Sequence, residues 1–504
     1  MTTSTAQLDS PLWLAQLRER LTPARAAETA AANGRVYLLL VAVSLGLGAF
    51  SLLYPSTPTY DPWAWIIWGR EVAHLDLQTT GGPSWKPLPV LFTTVFSLLG
   101  EAAPGLWLVV ARGGAILAVV LAFRLAARLV GGRGIAAITA GLVGAVALLV
   151  SSQFIRTMAL GNSEGLLVAF ALWGIERHLD GRYRQAFALG FLAALLRPEV
   201  WVFLGLYGAW LVLIDRRALR LVLAGFVLIP ALWFLPELWG SGNVWRAADR
   251  ATQPNPNSPA FAKHPFVKVI QDAWPLMITP VKAAAAFAIA LAAWEWVRAR
   301  RQGALLAIAA LAFAWILLIA AMTQAGFSGN PRYIILGTSL IAVIGGVGCG
   351  RVVQFVASAV GRRASPLLAA AAGLVALAVL AAGTWHWAGP RVRHFDELDR
   401  ALRYQAELRF DLRDALAKAG GAKAFGSCGH AATGKFQVPL AAWYLRVHTL
   451  DVGLGPAPQG VVVRSRSTGH APIAPAPPYP PAYRPVAKVR TTTLLSTCAR
   501  MPGA

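Results

Sequence analysis

The chain has 504 residues, of which 56% are hydrophobic and only 14% charged, with a formal net charge of +23. A soluble protein normally carries about 25% charged residues, so composition speaks against a water-soluble globular enzyme. The charge does not point to nucleic acid, because the arginines stand in short clusters between apolar runs, where the positive-inside rule puts them; membrane lipids are the expected partners.

The first 35 residues are polar and Ala/Arg-rich and read as a cytoplasmic tail without a cleavable signal peptide. Eleven apolar runs follow: Val36–Tyr54, Gly105–Leu129, Ile135–Ser152, Ser163–His178, Ala186–Leu196, Val200–Ile214, Leu219–Leu235, Val281–Val297, Ala304–Thr323, Tyr333–Phe355 and Pro366–Trp385. They are continuous and do not alternate, which argues for helices and against a β-barrel. The fifth and sixth break at Arg197-Pro198-Glu199, which predicts a helix–turn–helix with Arg197 and Glu199 paired. Leu88–Leu99 is too short to span and reads as an interfacial or re-entrant helix.

Arg18/Arg20/Arg25/Arg35, Arg124/Arg128/Arg133, Arg177/Arg182/Arg184, Arg216/Arg217/Arg220, Arg298/Arg300/Arg301 and Arg351/Arg362/Arg363 fall in alternate loops. Assigning them to the cytoplasm puts the loop 55–103, the second outer turn, the loop 236–280, the turn before Tyr333 and everything after Trp385 outside. The fold class is therefore an all-α polytopic membrane protein with about eleven transmembrane helices in 36–385 and a small external C-terminal α+β domain in 386–504. Cys428 and Cys498 lie in that domain, and an oxidising compartment would favour a disulfide between them. Cys349 reads as a small core residue. No nucleotide-binding or metalloprotease motif is present.

Ionisable residues concentrate at outer helix ends. Asp61 opens DPWAWIIWGR, with Pro62 behind it, and reads as an N-cap that can also serve as a base. Lys86 stands between Trp85 and Pro87, as a snorkelling lysine with an aromatic belt neighbour or as a phosphate ligand. Glu164 follows Asn162-Ser163 at the start of a span, with Arg156 as its expected partner. Arg332 is basic on the side where basic residues are scarce near spans, so a phosphate or buried acid would account for it. Arg112 lies inside a span and needs a partner or water. Tyr60 and Trp85 complete the candidate substrate-binding set with Lys86, Arg332 and Arg156. The loop tryptophans Trp63, Trp65, Trp68 and Trp85 fit a membrane belt or a sugar platform.

In order and sidedness these pieces resemble the GT-C membrane glycosyltransferases, the polyprenyl-phosphate-mannose protein mannosyltransferase group and the lipid A aminoarabinose transferase in particular. The resemblance rests on Asp61 in the first external loop, on Lys86-Pro87-Leu88-Pro89 before a short helix, on the span WLVVARGGAILAVVLAFRLAARLVGG, and on Asn162-Ser163-Glu164 followed by GFLAALLRPE. It implies inverting transfer of a sugar from a polyprenyl-phosphate donor on the external face of the inner (plasma) membrane, with Asp61 as base, Lys86 on the donor phosphate and Glu164 positioning substrates. Arg332 as a second phosphate ligand follows from charge and sidedness. The Ala/Arg/Gly-rich composition suggests an actinobacterium, hence a mannose or arabinose donor and an envelope glycan, lipid or protein acceptor. Asp-Pro in place of paired acids, Lys-Pro-Leu-Pro and Glu164 in place of Asp depart from the family pattern. They leave the substrate open, and with it whether a divalent cation takes part. A lipid-sugar transporter or flippase and a non-catalytic scaffold are the rivals; the transporter would bury its charged residues mid-span along a pathway and show inverted repeats.

Overall fold

A computed structural model describes residues 23–131, 134–361 and 365–498. Residues 1–22, with Arg18 and Arg20, and the loop arginines Arg133, Arg362 and Arg363 lie outside the described residues. The helices in chain order are α1 (Pro23–Phe50), α2 (Tyr60–Ala73), α3 (Pro87–Ser97), α4 (Ala103–Leu129), α5 (Ile135–Leu149), α6 (Ser152–Ala159), α7 (Glu164–Leu179), α8 (Tyr183–Ala194), α9 (Val200–Ile214), α10 (Leu219–Ser241), α11 (Arg246–Ala251), α12 (Pro265–Ala273), α13 (Thr279–Ala299), α14 (Gly303–Gln324), α15 (Ile335–Gly361), α16 (Pro366–Arg393), α17 (Phe395–Lys418), α18 (Ala422–Gly426) and α19 (Val438–Leu445).

Among the described residues, seven helices are long and apolar enough to cross a membrane. An eighth span results if α5 and the short helix after it, bent by 66°, count as one. Reaching eleven requires α7, α8 and α9 to cross as well. Their 16, 12 and 15 residues cover about 24, 18 and 22 Å at 1.5 Å per residue, short of ~30 Å of hydrocarbon. The expected break after α8 is present, and Arg197 pairs with Glu199 at 3.3 Å.

The scaffold turns on α15, which is buried along most of its length. Its glycines let neighbouring backbones approach closely. A Cβ on Gly346 would stand 2.4 Å from the Ala140 carbonyl of α5, and one on Gly348 would stand 2.0 Å from the Ala284 carbonyl of α13. Cys349, next to Gly348, is buried, as a small core residue should be. In the same way, Gly165 of α7 meets Ala115 of α4, and Gly114 of α4 meets Leu166 of α7. These contacts fix α7, at whose start Glu164 stands, and α15, which follows the turn that carries Arg332. Inside α4, Arg112 donates to the Ser51 carbonyl at 3.1 Å and the Ala159 carbonyl at 2.6 Å, so backbone oxygens meet its charge.

The loop 55–103 folds as a helical hairpin. Gly69 of α2 lies against Thr93 of α3, whose hydroxyl donates to the Trp65 carbonyl at 2.7 Å. Leu91 and Val95 of α3 and Leu98 just past its end are exposed apolar side chains. The four loop tryptophans are neither belt nor open platform, because all are 3% exposed or less. Trp65 packs edge-on against Trp107, and Trp68 packs against Trp85.

The expected domain boundary at residue 385 falls inside α16, and only His394 separates that helix from α17. Beyond it lies a small sheet of β1 (His430–Thr433), β2 (Val452–Gly453), β3 (Gly460–Arg466), β4 (Ile473–Ala474), β5 (Arg484–Val489) and β6 (Thr492–Ser496). The order is β2-β1-β3-β6-β5, with β4 on β3. The pairs β1–β2 and β1–β3 are parallel, and the rest are antiparallel. Cys428 and Cys498 are joined as a disulfide. Asp411 of α17, fully buried, accepts from Arg490 at 2.8 Å and from the Thr491 hydroxyl at 2.6 Å, which pins the helix to the β5–β6 turn.

The glycine packing of α15 gives a direct test. Gly348→Ala should destabilise the protein by about 1–3 kcal/mol through overpacking against α13. A fall in the thermal midpoint of the solubilised protein would register this, and an unchanged midpoint would contradict the close packing.

Candidate active site

Five segments distant in sequence bring their ionisable side chains to one place. They are the first turn of α2, the start of α3, the start of α7, the α8–α9 break and the turn Pro331–Ile334 before α15. Arg332 is the hub. Its guanidinium donates to Asp61 Oδ2 at 2.5 Å and to Asn162 Oδ1 at 2.8 Å, and its Nε lies 3.8 Å from Glu164 Oε1. The partner of Glu164 is therefore Arg332. Arg156, expected in that role, is exposed on α6 and makes no ion pair with Glu164 among the described residues.

Local capping rules are set aside here in favour of the cluster. Asp61 is not the N-cap of α2: the helix begins at Tyr60, Thr59 holds the cap position, and Asp61 sits in the first turn. Ser163 holds the N-cap position of α7 but makes no side-chain cap. Its hydroxyl accepts instead from Lys86 Nζ at 3.1 Å. Asn162 likewise gives its carbonyl oxygen to Arg332. Two residues suited to capping have been diverted to hold two cations.

Lys86 does not snorkel. It is buried at the N-cap of α3, with Nζ 5.0 Å above the Trp65 ring. Burial pulls its ammonium below the usual lysine value, against the pull of Glu164 and Asp61. For Asp61, burial pushes the carboxyl up, but Arg332 and then Lys86 oppose it and hold it below the usual carboxylate value. Burial and the Asp61 charge raise the phenol of Tyr60, while Arg250 and Arg246 oppose them. Tyr60 therefore stands beside Asp61, facing arginines of the loop 236–280.

Arg197 was read from sequence as a structural partner of Glu199 alone. It also stacks on Tyr333, 3.7 Å from the ring, and contributes to the field at Lys86. Its place in GFLAALLRPE, directly after a short apolar helix, was the available signal. Trp85 is different. Its indole N–H is given to the Leu232 carbonyl at 3.0 Å and its ring to Trp68, so it supports the Lys86 backbone from within the core.

The cluster is incompletely satisfied. Among the described residues, both Glu164 oxygens, Arg332 Nε, and Arg197 Nε and Nη2 are buried without a hydrogen bond; Glu164 Oε1 has only the 3.8 Å ion pair to Arg332 Nε, and Arg197 Nη2 only the 3.3 Å ion pair to Glu199. Buried polar atoms are nearly always paired, so such a concentration marks a place built for something further. A phosphate would satisfy the guanidinium and ammonium donors, and a hydroxyl would satisfy a carboxylate. No group of three or more His, Cys, Asp or Glu side chains suited to a metal occurs among the described residues. At Asp61 and Glu164 the bridging cation is the Arg332 guanidinium.

The lowered Asp61 value carries a stability sign. A depressed carboxylate stabilises the fold above its unfolded value, about 3.9, and that stability is lost as pH falls through the folded value. The difference in thermal midpoint between wild type and Asp61→Asn should therefore be full at pH 6–7 and shrink below about pH 4. A difference independent of pH would contradict the Asp61–Arg332 pair.

No protein-family model matches the chain, and no curated protein matches it. Among solved structures, ArnT from Cupriavidus metallidurans bound to undecaprenyl phosphate aligns with a TM-score of 0.54 at 15% identity, over 94% of this chain and 100% of that chain. The same protein in the apo state aligns with a TM-score of 0.54 at 16% identity over the same shares. At that identity the likeness is one of fold, and the chain shares the fold of ArnT.

Proposed function

We propose that the protein is a polyprenyl-phosphate-dependent glycosyltransferase, moving a monosaccharide to a cell-envelope acceptor on the external membrane face. The observation that carries this reading is the unsaturated cluster of Asp61, Lys86, Glu164, Arg197 and Arg332 at the outer helix ends. The fold it shares with an undecaprenyl-phosphate-bound transferase supports it. Mannose or arabinose as the sugar, inversion at the transferred carbon, and a glycan, lipid or protein acceptor belong to the same proposal.

In this reading, Lys86 and Arg332 hold the donor phosphate, with Arg197 behind them. Asp61 takes the proton of the acceptor hydroxyl as that oxygen attacks the anomeric carbon. The bond from that carbon to the phosphate oxygen breaks, and polyprenyl phosphate leaves with one more negative charge, which the cations meet in a low-dielectric site. Glu164 positions the sugar or the acceptor by hydrogen bonding.

The resting geometry adds a condition. Asp61 bound to Arg332 is a poor base, because its proton affinity is lowered. A phosphate competes for the same guanidinium, and drawing Arg332 away restores basicity to Asp61. The base would thus become active only when the donor is bound.

Purified full-length protein with radiolabelled polyprenyl-phosphate mannose or arabinose and envelope acceptors tests the reading. Asp61→Asn should lower the transfer rate by about 10²–10⁴-fold. Lys86→Ala should abolish retention of the donor. Full activity in Asp61→Asn, or donor binding unchanged in Lys86→Ala, would contradict the assignments. In Arg332→Gln the acid limb of kcat/KM, which reports the donor-free enzyme, should move to higher pH as the opposing charge is lost. An unmoved limb would contradict the coupling of Arg332 to Asp61.

A further inference from the structure

A cavity of about 540 Å3 lies at the opposite end of α2 from Asp61, between the helical hairpin and the C-terminal domain. Asp61 and Arg70 stand nine residues apart on α2, which is about 14 Å along its axis. The size falls within the range of small-molecule sites, roughly 300–1,000 Å3. The charge cluster described above does not line it.

Its lining has a distinct sign. Glu71, Asp76, Glu101 and Asp451 face only two arginines, Arg70 and Arg446. In a chain of net charge +23, this is an acidic spot. It would repel a phosphate and accept a neutral, hydroxyl-rich ligand, because hydroxyls can both donate to carboxylates and accept from guanidinium groups. Trp443 also lines the cavity. That residue is 5% exposed, and its buried indole N–H has no hydrogen-bond partner among the described residues.

The walls are held firmly. His448 bridges Glu71 at 2.8 Å and Asp76 at 3.4 Å, and Arg70 donates to the Val447 carbonyl at 2.8 Å. These contacts join the two sides of the cavity while leaving Glu101 and Arg446 exposed at its edge. Arg446 ends α19 at φ +58°, in the left-handed region that favours glycine. An arginine kept there presents its side chain where a glycine would present nothing.

We propose that this cavity binds sugar units of a neutral glycan acceptor, holding the acceptor's non-reacting part while its reactive hydroxyl reaches Asp61. The proposal rests on the transfer reading above for its role, though the binding itself does not. Remote binding of this kind supplies orientation at the reacting centre. Amino sugars fit the same sign of charge; anionic glycans do not.

Ligand-observed saturation-transfer NMR on the full-length protein in nanodiscs tests it, with mannobiose and arabinobiose as separate probes and inorganic phosphate as competitor. A saturation-transfer signal is expected for at least one disaccharide. Glu101→Gln/Arg446→Ala, two exposed positions, should weaken binding by about ten-fold or more. Phosphate should not displace the disaccharide, and Lys86→Ala should still bind it. No signal with either probe, unchanged affinity in the double variant, or displacement by phosphate would each overturn the proposal. Disaccharide binding by a protein that transfers no sugar would support the cavity and remove the transfer reading. Transfer by a protein whose double variant binds normally would do the reverse.

Discussion

The structure depends on how it keeps ionised groups out of water near a membrane. Charges in such a place are stable only when paired and hydrogen-bonded. Arg332 pairs with both site acids, and it also holds Asn162. Its position is set by the turn that leads into α15. The position of α15 is set in turn by glycines that admit the backbones of α5 and α13. Close helix packing deep in the bundle thus determines the geometry of a charge cluster at its outer edge.

The opposite end of α7 holds a carboxylate network with closer ion pairs. There Glu176 is met by Arg124 at 3.3 Å, and Asp180 by Arg128 at 2.7 Å, while Tyr37 donates to Glu176. These arginines belong to the clusters that set orientation, and they also lock α1, α4 and α7 together. The Arg332 cluster differs in that neither oxygen of the buried Glu164 carboxylate has a hydrogen bond among the described residues, its ion pair to Arg332 standing at 3.8 Å. That contrast, more than the number of charges, separates a structural network from a site. The C-terminal domain adds a second outer feature by closing over α2 through Trp63 against Trp443 and Glu71 against His448.

Much of this was legible in the sequence, because hydropathy and arginine placement act over long stretches and are hard to disguise. The long spans, the short helix α3, the break at Pro198 and the place of Asp61, Lys86, Glu164 and Arg332 near helix ends followed from them. What failed was local. Asp61 before a proline reads as a cap, because capping is the usual outlet for that side chain. A cation brought in from elsewhere in the chain outcompetes that outlet, and nothing local reveals it. Lys86 and the loop tryptophans read as interfacial because the sequence does not show that α2 and α3 fold into the core. Arg156 was chosen as the partner of Glu164 for its nearness in sequence, whereas the residue that arrives in space is 168 positions further on.

The central claim is that Lys86 and Arg332 receive a lipid-linked phosphate and that its arrival frees Asp61. An experimental structure of the full chain with a bound polyprenyl phosphate examines this most directly. The account predicts phosphate oxygens within hydrogen-bond distance, about 2.7–3.2 Å, of Lys86 Nζ and the Arg332 guanidinium, with the contact between Arg332 and Asp61 opened. A phosphate bound elsewhere, or one bound while Arg332 still grips Asp61, would contradict it.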